Sequence, residues 1–514
     1  MKYSKFTFSF FLISFSALNA QTTPSIQWQK SLGGSYSDVA KSIQQTSDGG
    51  YIVAGESNST NGDVTGNHGN TDFWIVRLDP SGTIQWQKSL GGSYSDIANA
   101  IQQTSDGGYI VAGESNSING DVTGNHGNAD YWIVKLDSSG NIQWQKSLGG
   151  SNRDAANSVK QTLDGGYIVA GESNSTNGDI TGNHGNSDYW IVKLDPSGIL
   201  QWQKSLGGSL YDVANSIQQT SDGGYIVAGG SNSVDGDVTH NQGNEDFWIV
   251  KLNPSGVIQW ERSLSGNLSD RAESIQETEG GYIVTGGSNS QNSENPTTFG
   301  ISNYRVAKLD SNGIMQWQKH FGGSNNDYAY STQQTPDGGY IVAGGAQSVD
   351  GDVIGNHGNN DFWIVKLSSS GIIEWQKTLG GSAFDDAYSI KLTNDGGFII
   401  AGITQSADGD VTGYHGNGDA WIVKLGAFLS TNESSIKNNI SIYPNPTKDF
   451  VNIDNLPSEA TISITDASGR KISSKKYSGK NVSMNTSGFI NGNYIIQVEH
   501  QGTTILSKKI IISK

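Results

Sequence analysis

The chain has 514 residues and is rich in glycine, with 68 residues, whereas charged residues make up only 16% of it. This composition favours short strands joined by tight turns over helices. There is no cysteine, which excludes disulfide bonds as a source of stability. The net charge is −17, and the 21 basic and 44 acidic residues of positions 21–440 give −23 there. This acidity excludes nucleic acid and an anionic membrane surface as the expected partners.

Residues 1–20 have the pattern of a secretory signal peptide. Lys2 and Lys5 form a basic start, residues 6–15 are mostly apolar, and a small-residue cleavage pattern ends at Ala20. The alternative is a short membrane anchor, which would need a longer apolar run to cross about 30 Å of hydrocarbon. We predict cleavage after Ala20 and no membrane-spanning segment later in the chain.

A unit of about 58 residues then repeats along the chain. A tryptophan followed by Gln or Glu marks its seven copies, at Trp28, Trp86, Trp144, Trp202, Trp260, Trp317 and Trp375. A second tryptophan follows 46 residues later in six units, whereas the fifth has the sequence NYRVAKLD. Each unit contains four segments with the character of strands. In the first full unit they are residues 38–46, 51–57, 72–79 and 84–90, with turn sequences SDGG and DPSG.

Four antiparallel strands repeated seven times predict an all-β fold, a seven-bladed β-propeller over residues 21–429. Closing the sheets into a ring covers the faces that one sheet alone would leave exposed. An open β-solenoid is the alternative, but 58 residues with four hairpin-linked strands are too long for one coil. The repeats begin with a fourth-type strand at residues 26–32 and end with a third-type strand at residues 419–426. We expect these two strands to pair and close the ring.

The sequence LDPSGTIQW, ending at residue 86, and its copies resemble the turn-and-tryptophan signature of quinoprotein-type and related bacterial propeller repeats. The resemblance implies that Asp and Gly shape a turn and that Trp docks between blades. The spacing from Asp79 to Trp86 is one residue shorter than in that pattern, so the resemblance supports the fold and not a quinone cofactor.

The longer connections of the units are expected on one face of the propeller, opposite the tight turns. Loops on a rigid scaffold are where binding usually resides. This loop face carries recurring carboxylates, exemplified by Asp38, Asp63 and Asp72. Carboxylates are ligands for Ca²⁺, but no loop has the spacing of a known calcium loop. We favour hydrogen bonding within the loops and expect no cofactor, with Ca²⁺ as the alternative.

Histidines also recur in these loops, at His68, His126, His184, His357 and His415. One histidine per blade makes a poor metal cluster, so a hydrogen bond within each Gly-Asn-His-Gly-Asn turn is the favoured interpretation.

An active site is expected where the repeats disagree, because a repeated residue is usually needed by the scaffold. The clearest disagreement is residues 291–303, which contain one carboxylate, Glu294, and no histidine. This leaves no acid/base pair. A search for a non-repeated cluster of His, Arg or carboxylates at the central channel finds none. We therefore predict that the protein is not an enzyme and that residues 291–303 are a loop swap or a partner contact.

After a polar linker at residues 430–439, the composition changes and residues 440–514 have a net charge of about +4. Their alternating segments predict a small C-terminal β-sandwich. Short motifs follow one another in this region, carried by Tyr443, Pro444, Asn445, Pro446, Asp466, Gly469, Arg470, Gly492, Tyr494, Lys508, Lys509 and Lys514. Their order closely resembles the type A C-terminal sorting domain of the type IX secretion system of the Bacteroidota.

That resemblance implies a route across both membranes, with the signal peptide leading to the periplasm and the tail leading across the outer membrane. The tail would contact the secretion machinery and is usually removed, leaving a released or surface-attached protein.

Three functions remain open at the level of sequence. We favour a monomeric, secreted or surface-displayed propeller that binds an unknown extracellular protein or glycan through its loop face. The alternatives are a secreted propeller enzyme acting on polysaccharide and a purely structural surface protein.

Overall fold

Four strands from each repeat form one antiparallel sheet, and seven such sheets form a ring. The computed structural model describes residues 23–242, 244–264, 266–290, 300, 302–427, 440–466, 470–500 and 503–514. The predicted signal peptide with Ala20, the linker and most of residues 291–303 lie outside this part of the chain. The elements described include no helix able to cross a membrane.

The first strand of each blade lies nearest the axis of the ring. These inner strands are β2 (Asp38–Gln45), β6 (Asp96–Gln103), β10 (Asp154–Gln161), β14 (Asp212–Gln219), β18 (Asp270–Thr278), β22 (Asp327–Gln334) and β26 (Asp385–Leu392). The second strands are β3 (Tyr51–Ser57), β7 (Tyr109–Ser115), β11 (Tyr167–Ser173), β15 (Tyr225–Ser231), β19 (Gly281–Ser288), β23 (Tyr340–Ala346) and β27 (Phe398–Thr404).

The third and fourth strands complete each sheet toward the outside. The third strands are β4 (Asp72–Leu78), β8 (Asp130–Leu136), β12 (Asp188–Leu194), β16 (Asp246–Leu252), β20 (Asn303–Leu309), β24 (Asp361–Leu367) and β28 (Asp419–Leu425). The outer strands are β1 (Ile26–Leu32), β5 (Ile84–Leu90), β9 (Ile142–Leu148), β13 (Leu200–Leu206), β17 (Ile258–Leu264), β21 (Met315–Phe321) and β25 (Ile373–Leu379). Blades one to seven are numbered here by their inner strands, from β2 to β26.

The ring closes through strands from opposite ends of the repeat region. β1 pairs antiparallel with β28, so the seventh sheet has the order β1-β28-β27-β26. The pairing runs from Ile26 opposite Leu425 to Leu32 opposite Ala420. The predicted closure is confirmed, and it supplies hydrogen-bond partners to an otherwise open edge.

The core consists of seven apolar clusters, each shared by two neighbouring blades. The cluster between blades seven and one joins Ile422 to Tyr51 and Trp74. At the same junction, the ring of Trp28 packs edge-on against Tyr51 with 5.6 Å between centroids. The docking of the first tryptophan between blades, implied by the propeller resemblance, is therefore present in the structure.

The fifth blade replaces the second tryptophan with Arg305, which is buried. In blade one, Trp74 Nε1 donates to Gln87 Oε1 at 2.9 Å. In blade five, an Arg305 guanidinium nitrogen donates to Gln318 Oε1 at 3.0 Å, so the same interaction is kept by a different side chain.

The C-terminal region forms the predicted β-sandwich. One sheet pairs β29 (Ser441–Tyr443), β30 (Phe450–Asp454) and β33 (Val482–Asn485). The other has the order β32 (Lys471–Tyr477), β31 (Ala460–Asp466), β34 (Gly492–His500) and β35 (Thr503–Ile512). Apolar side chains of both sheets, including Val451 and Ile496, form one core.

Candidate functional site at the mouth of the central channel

The recurring aspartates of the loop face hold the loops by hydrogen bonds. Asp154 is buried, and its Oδ2 accepts hydrogen bonds from the Gly150 N–H at 2.8 Å and the Ser175 hydroxyl at 2.9 Å. Its Oδ1 accepts a hydrogen bond from the Ser173 hydroxyl. Equivalent contacts surround Asp38, and Asp63 Oδ2 accepts from the Gly33 N–H at 3.2 Å. The predicted hydrogen bonding within the loops is confirmed for these residues.

Each loop histidine pairs with the aspartate that begins the third strand. His184 Nδ1 lies 2.7 Å from Asp188 Oδ2, and the His184 N–H donates to the same oxygen at 3.0 Å. The equivalent pair is present at His68, His126, His357 and His415. Burial raises the pKa of Asp188 to about 6, and the negative charge of nearby Asp212 contributes to this shift. Across the described ranges, no three His, Asp or Glu side chains form a metal-binding group.

A further departure from the repeat lies on the inner strands, three residues after the aspartate that begins each of them. One residue from each blade occupies this axial ring position, and the set is Lys41, Asn99, Asn157, Asn215, Glu273, Tyr330 and Tyr388. The register of every inner strand shifts beside this position, between the second and fourth residues after the aspartate. A bulge of this kind redirects a side chain. Six of the seven axial ring residues, all except Lys41, line one cavity.

That cavity, here called the channel mouth, has a volume of about 340 Å³ and lies at the end of the channel nearest the loop face. Arg153, Glu172, Val213 and Arg271 complete its wall. Arg153 Nε lies 2.8 Å from Glu114 Oε2. Arg271 Nε lies 3.4 Å from Glu273 Oε1. The mouth thus combines carboxylates, guanidinium groups, amides and tyrosine rings contributed by six blades.

The asparagines of the axial ring are held in place by their neighbours. Asn99, Asn157 and Asn215 each donate from Nδ2 to a main-chain carbonyl of the next blade, at 2.8–3.0 Å. Arg271 donates to Asn215 Oδ1 at 3.2 Å. The polar wall is therefore organised before any ligand arrives, which lowers the entropic cost of binding.

The opposite arc of the ring is aromatic and acidic. Tyr330 and Tyr388 pack edge-to-face with 5.1 Å between ring centroids. The Tyr328 hydroxyl donates to Glu273 Oε1 at 3.2 Å. Burial raises the pKa of Glu273 to about 7 and that of Asp386, which precedes the ring position of its blade by two residues, to about 7 as well.

This constellation corrects the sequence analysis, which found no non-repeated cluster of Arg and carboxylates at the channel. The residues were missed because they come from six different blades, with 289 positions between Asn99 and Tyr388. Comparing one strand position across all seven units would have found the site.

The predicted sorting residues are spread over the C-terminal sandwich. Tyr443 ends β29 and residues 444–446 follow it, and the Tyr443 hydroxyl donates to Asp454 Oδ2 at 2.5 Å. Asn445 Oδ1 accepts a hydrogen bond from the Ile511 N–H at 2.8 Å. This contact holds the start of the domain against its last strand.

The remaining sorting residues occupy turns and strands of the same domain. Arg470 Nε lies 3.0 Å from Asp466 Oδ2. Tyr494 is buried in β34, which Gly492 begins, and its hydroxyl donates to the Ile490 carbonyl at 3.0 Å. Lys508, Lys509 and Lys514 lie in or just after β35, whereas Gly469 and the side chain of Lys509 lie outside the description. A direct role of these residues in recognition stays a prediction.

Comparison with known proteins identifies the C-terminal region. Residues 441–513 match the family described as "Secretion system C-terminal sorting domain". A curated relative, the regulatory protein FlaEY of Caulobacter vibrioides, is 26% identical over 171 residues, which cover 30% of this chain and 17% of that protein. The chain therefore spans less than a fifth of this relative.

Two similar solved structures come from surface or extracellular proteins. PorZ, a bacterial surface component of the type-IX secretion system of Porphyromonas gingivalis, is 13% identical with a TM-score of 0.40, over 95% of this chain and 61% of that one. The extracellular domain of the putative hybrid two component system BT4673 from B. thetaiotaomicron is 11% identical with a TM-score of 0.43, over 96% and 60% of the chains. The sorting domain itself decides the destination: this chain is an all-β repeat protein that carries a type IX secretion system sorting domain and is exported to the cell surface or secreted.

Proposed function

We propose that the exported propeller is a binding protein whose ligand, a glycan, enters the channel mouth from the loop face. The proposal rests on the axial ring position. The residue there differs between blades, and amide, carboxylate and tyrosine side chains from six blades surround one cavity. A repeated scaffold residue has a structural reason to be the same in every blade. A position that differs around the ring is free to serve a ligand that has no sevenfold symmetry.

The chemistry of the mouth suits a sugar. A sugar ring has a face of C–H groups that can pack on an aromatic ring, such as those of Tyr330 and Tyr388. The hydroxyls of a sugar can donate hydrogen bonds to the carboxylate of Glu273 and accept them from the guanidinium of Arg153. A volume of about 340 Å³ lies in the range of small-molecule sites and would hold one or two sugar units.

The test is a glycan array probed with the full secreted chain and with two variants of the mouth, Tyr388→Ala and Glu273→Gln. We expect a defined set of glycans to bind and each variant to weaken binding at least tenfold. The matched control is Tyr36→Ala, which removes a tyrosine that is 57% exposed on the loop face. Binding that survives both mouth variants but is lost with Tyr36→Ala would place the ligand elsewhere and contradict the proposal.

A second function, hydrolysis of the bound glycan, is favoured by one observation. Glu273 lines the mouth, and burial raises its pKa to about 7, as a general acid working at neutral pH requires. Incubating each array-positive glycan with the protein and measuring new reducing ends distinguishes the two functions. Hydrolysis that is lost in Glu273→Gln would make the protein an enzyme, and intact glycan supports the binding protein.

A further inference from the structure

The far end of the channel holds a second cavity, of about 510 Å³, close to the tight turns. It is lined by the inner strands of six blades and contains the side chains of Lys160 and Lys391. These lysines belong to blades three and seven and occupy equivalent positions, six residues after the conserved aspartate. The other five blades have glutamine there, at Gln44, Gln102, Gln218, Gln276 and Gln333.

Each of these glutamines connects two blades. Its Oε1 accepts a hydrogen bond from a main-chain N–H of the next blade, at 2.7–3.1 Å, in all five cases. Because Oε1 is used in this way, Nε2 is the atom left for the channel, and an amide Nε2 is a donor only. The scaffold therefore surrounds the channel with hydrogen-bond donors.

The two lysines add positive charge to this ring of donors and cannot accept the interblade hydrogen bond themselves. Among the described residues, no carboxylate forms an ion pair with the ammonium group of Lys160 or Lys391. The one acidic side chain lining the cavity, Glu277, instead accepts hydrogen bonds from the N–H and hydroxyl of Ser221, each at 2.8 Å.

We propose that this end of the channel binds an oxyanion, a phosphate or sulfate group, between Lys160 and Lys391. Two ammonium groups and the surrounding amide N–H groups match the several acceptor oxygens of such a group. A partly desolvated cavity strengthens the attraction, because the effective dielectric constant is lower than in water. The volume exceeds that of the free ion, so the cavity has room for an organic molecule to which the group is attached.

The protonation of the lysines gives the site a characteristic pH dependence. Burial lowers the pKa of Lys160, and burial together with the charge of Lys160 lowers that of Lys391 to about 7. Lys160, Lys391 and Glu277 are the titratable groups of the cavity wall. Because the anion requires charged ammonium groups, its affinity falls as the pH rises from 6 to 8.5. Sulfate is the suitable probe, since it does not itself titrate in this range.

The experiment is titration calorimetry of the full secreted chain at low salt with sodium sulfate, inorganic phosphate and glucose 6-phosphate. We expect one anion per chain and at least tenfold weaker binding in the double variant Lys160→Gln/Lys391→Gln. Glutamine is the residue of the other five blades, so this variant restores two interblade hydrogen bonds and keeps the fold. Tighter binding of glucose 6-phosphate than of either free ion would assign the site to a phosphorylated organic ligand, and the reverse to the free ion.

The control is Lys30→Gln/Lys319→Gln, which removes two exposed lysines of the outer strands and changes the net charge equally. It should bind sulfate like the unaltered protein. Equal weakening in both double variants would mean that net charge alone governs binding and would overturn the proposal. Absence of binding of all three probes to the unaltered protein, or affinity for sulfate that does not change between pH 6 and 8.5, would overturn it as well.

Discussion

At the residue scale, a buried aspartate at the start of each inner strand holds the loops of the loop face by hydrogen bonds. Asp154 accepts hydrogen bonds from two hydroxyls and a main-chain N–H, and Asp38, Asp96 and Asp212 repeat this arrangement in full. Burial raises the pKa of Asp154. The hydrogen bonds therefore offset a real desolvation cost, and removing the carboxylate leaves several buried polar groups unpaired.

We expect Asp154→Ala to lower the free energy of unfolding by roughly 3 kcal/mol, because each buried polar group left unpaired costs about 1–3 kcal/mol. Urea unfolding followed by tryptophan fluorescence measures the change. The control is Asp137→Ala, which removes an exposed turn aspartate that accepts from the N–H groups of Ser139 and Asn141. If both variants unfold at the same urea concentration, the buried carboxylate does not have the structural role inferred here.

At the scale of single elements, the turn between the third and fourth strands fits the tryptophan of the preceding blade. Gly198 has a φ of 77°, and a Cβ placed on it would lie 2.9 Å from Cε3 of Trp144. The turn therefore requires glycine both for its backbone conformation and for the approach of the indole. Gly182, in the long loop of the same blade, has a φ of 86° but open space around it.

The pair Gly198→Ala and Gly182→Ala separates these two requirements. Both variants force a side chain into the left-handed region, at about 1–2 kcal/mol. Only Gly198→Ala also crowds Trp144, which adds about 1–3 kcal/mol. We expect a clearly lower urea midpoint for Gly198→Ala than for Gly182→Ala. Equal midpoints would show that the indole moves aside without cost.

At the scale of the whole molecule, ring closure depends on seven residues at the start of the repeats. Deleting β1 (Ile26–Leu32) removes the partner of β28 and opens the apolar cluster between blades seven and one. We expect a lower melting temperature and self-association through the exposed strand edge, measured by calorimetry and light scattering. A synthetic peptide of residues 25–33 should restore the lost stability, whereas a scrambled peptide should not. An unchanged melting temperature after the deletion would contradict closure by this strand.

The buried carboxyl groups should make the whole molecule more stable in mild acid than at neutral pH. Lys391 and His320 contribute in the opposite sense, because their folded pKa values are lowered to about 7 and about 4. The folded pKa is raised for many buried carboxyl groups, to about 6 for Asp188 and about 7 for Glu273 and Asp386. Such groups take up protons more readily in the folded state, so the free energy of unfolding rises as the pH falls from about 8 toward their unfolded values near 4.

Other carboxylates act in the opposite sense below that range. Desolvation raises the pKa of Asp164, but the hydrogen bonds that it accepts from Thr162 and Lys193 outweigh this effect and lower the pKa to about 2. The stability that such groups contribute is lost as the pH falls from about 4 to 2. Urea unfolding should therefore give a maximum between about pH 4 and 6. The variant Glu273→Gln should show a smaller gain between pH 8 and 5 than the unaltered protein. A maximum at pH 8 would contradict the assignment of raised pKa values.

The sequence predicted the fold closely because the repeat supplies seven copies of one pattern. The expected segments at residues 51–57 and 84–90 coincide with β3 (Tyr51–Ser57) and β5 (Ile84–Leu90). The channel mouth was not predicted, because one sequence position in each blade becomes a site only when the ring brings the seven together. Likewise, the sequence shows that blade five lacks the second tryptophan, but the hydrogen bond from Arg305 to Gln318 is visible only in the structure.

The closing strand also sets an order of events during synthesis. β1 is made first, but its partner β28 follows almost 400 residues later, and the sorting domain at residues 441–513 comes after that partner. A chain that ends early lacks both the last strand of the ring and the signal for the outer membrane. Only a chain that includes the closing strand β28 also includes the sorting domain. The order of elements along the chain therefore prevents export of propellers that were truncated during synthesis.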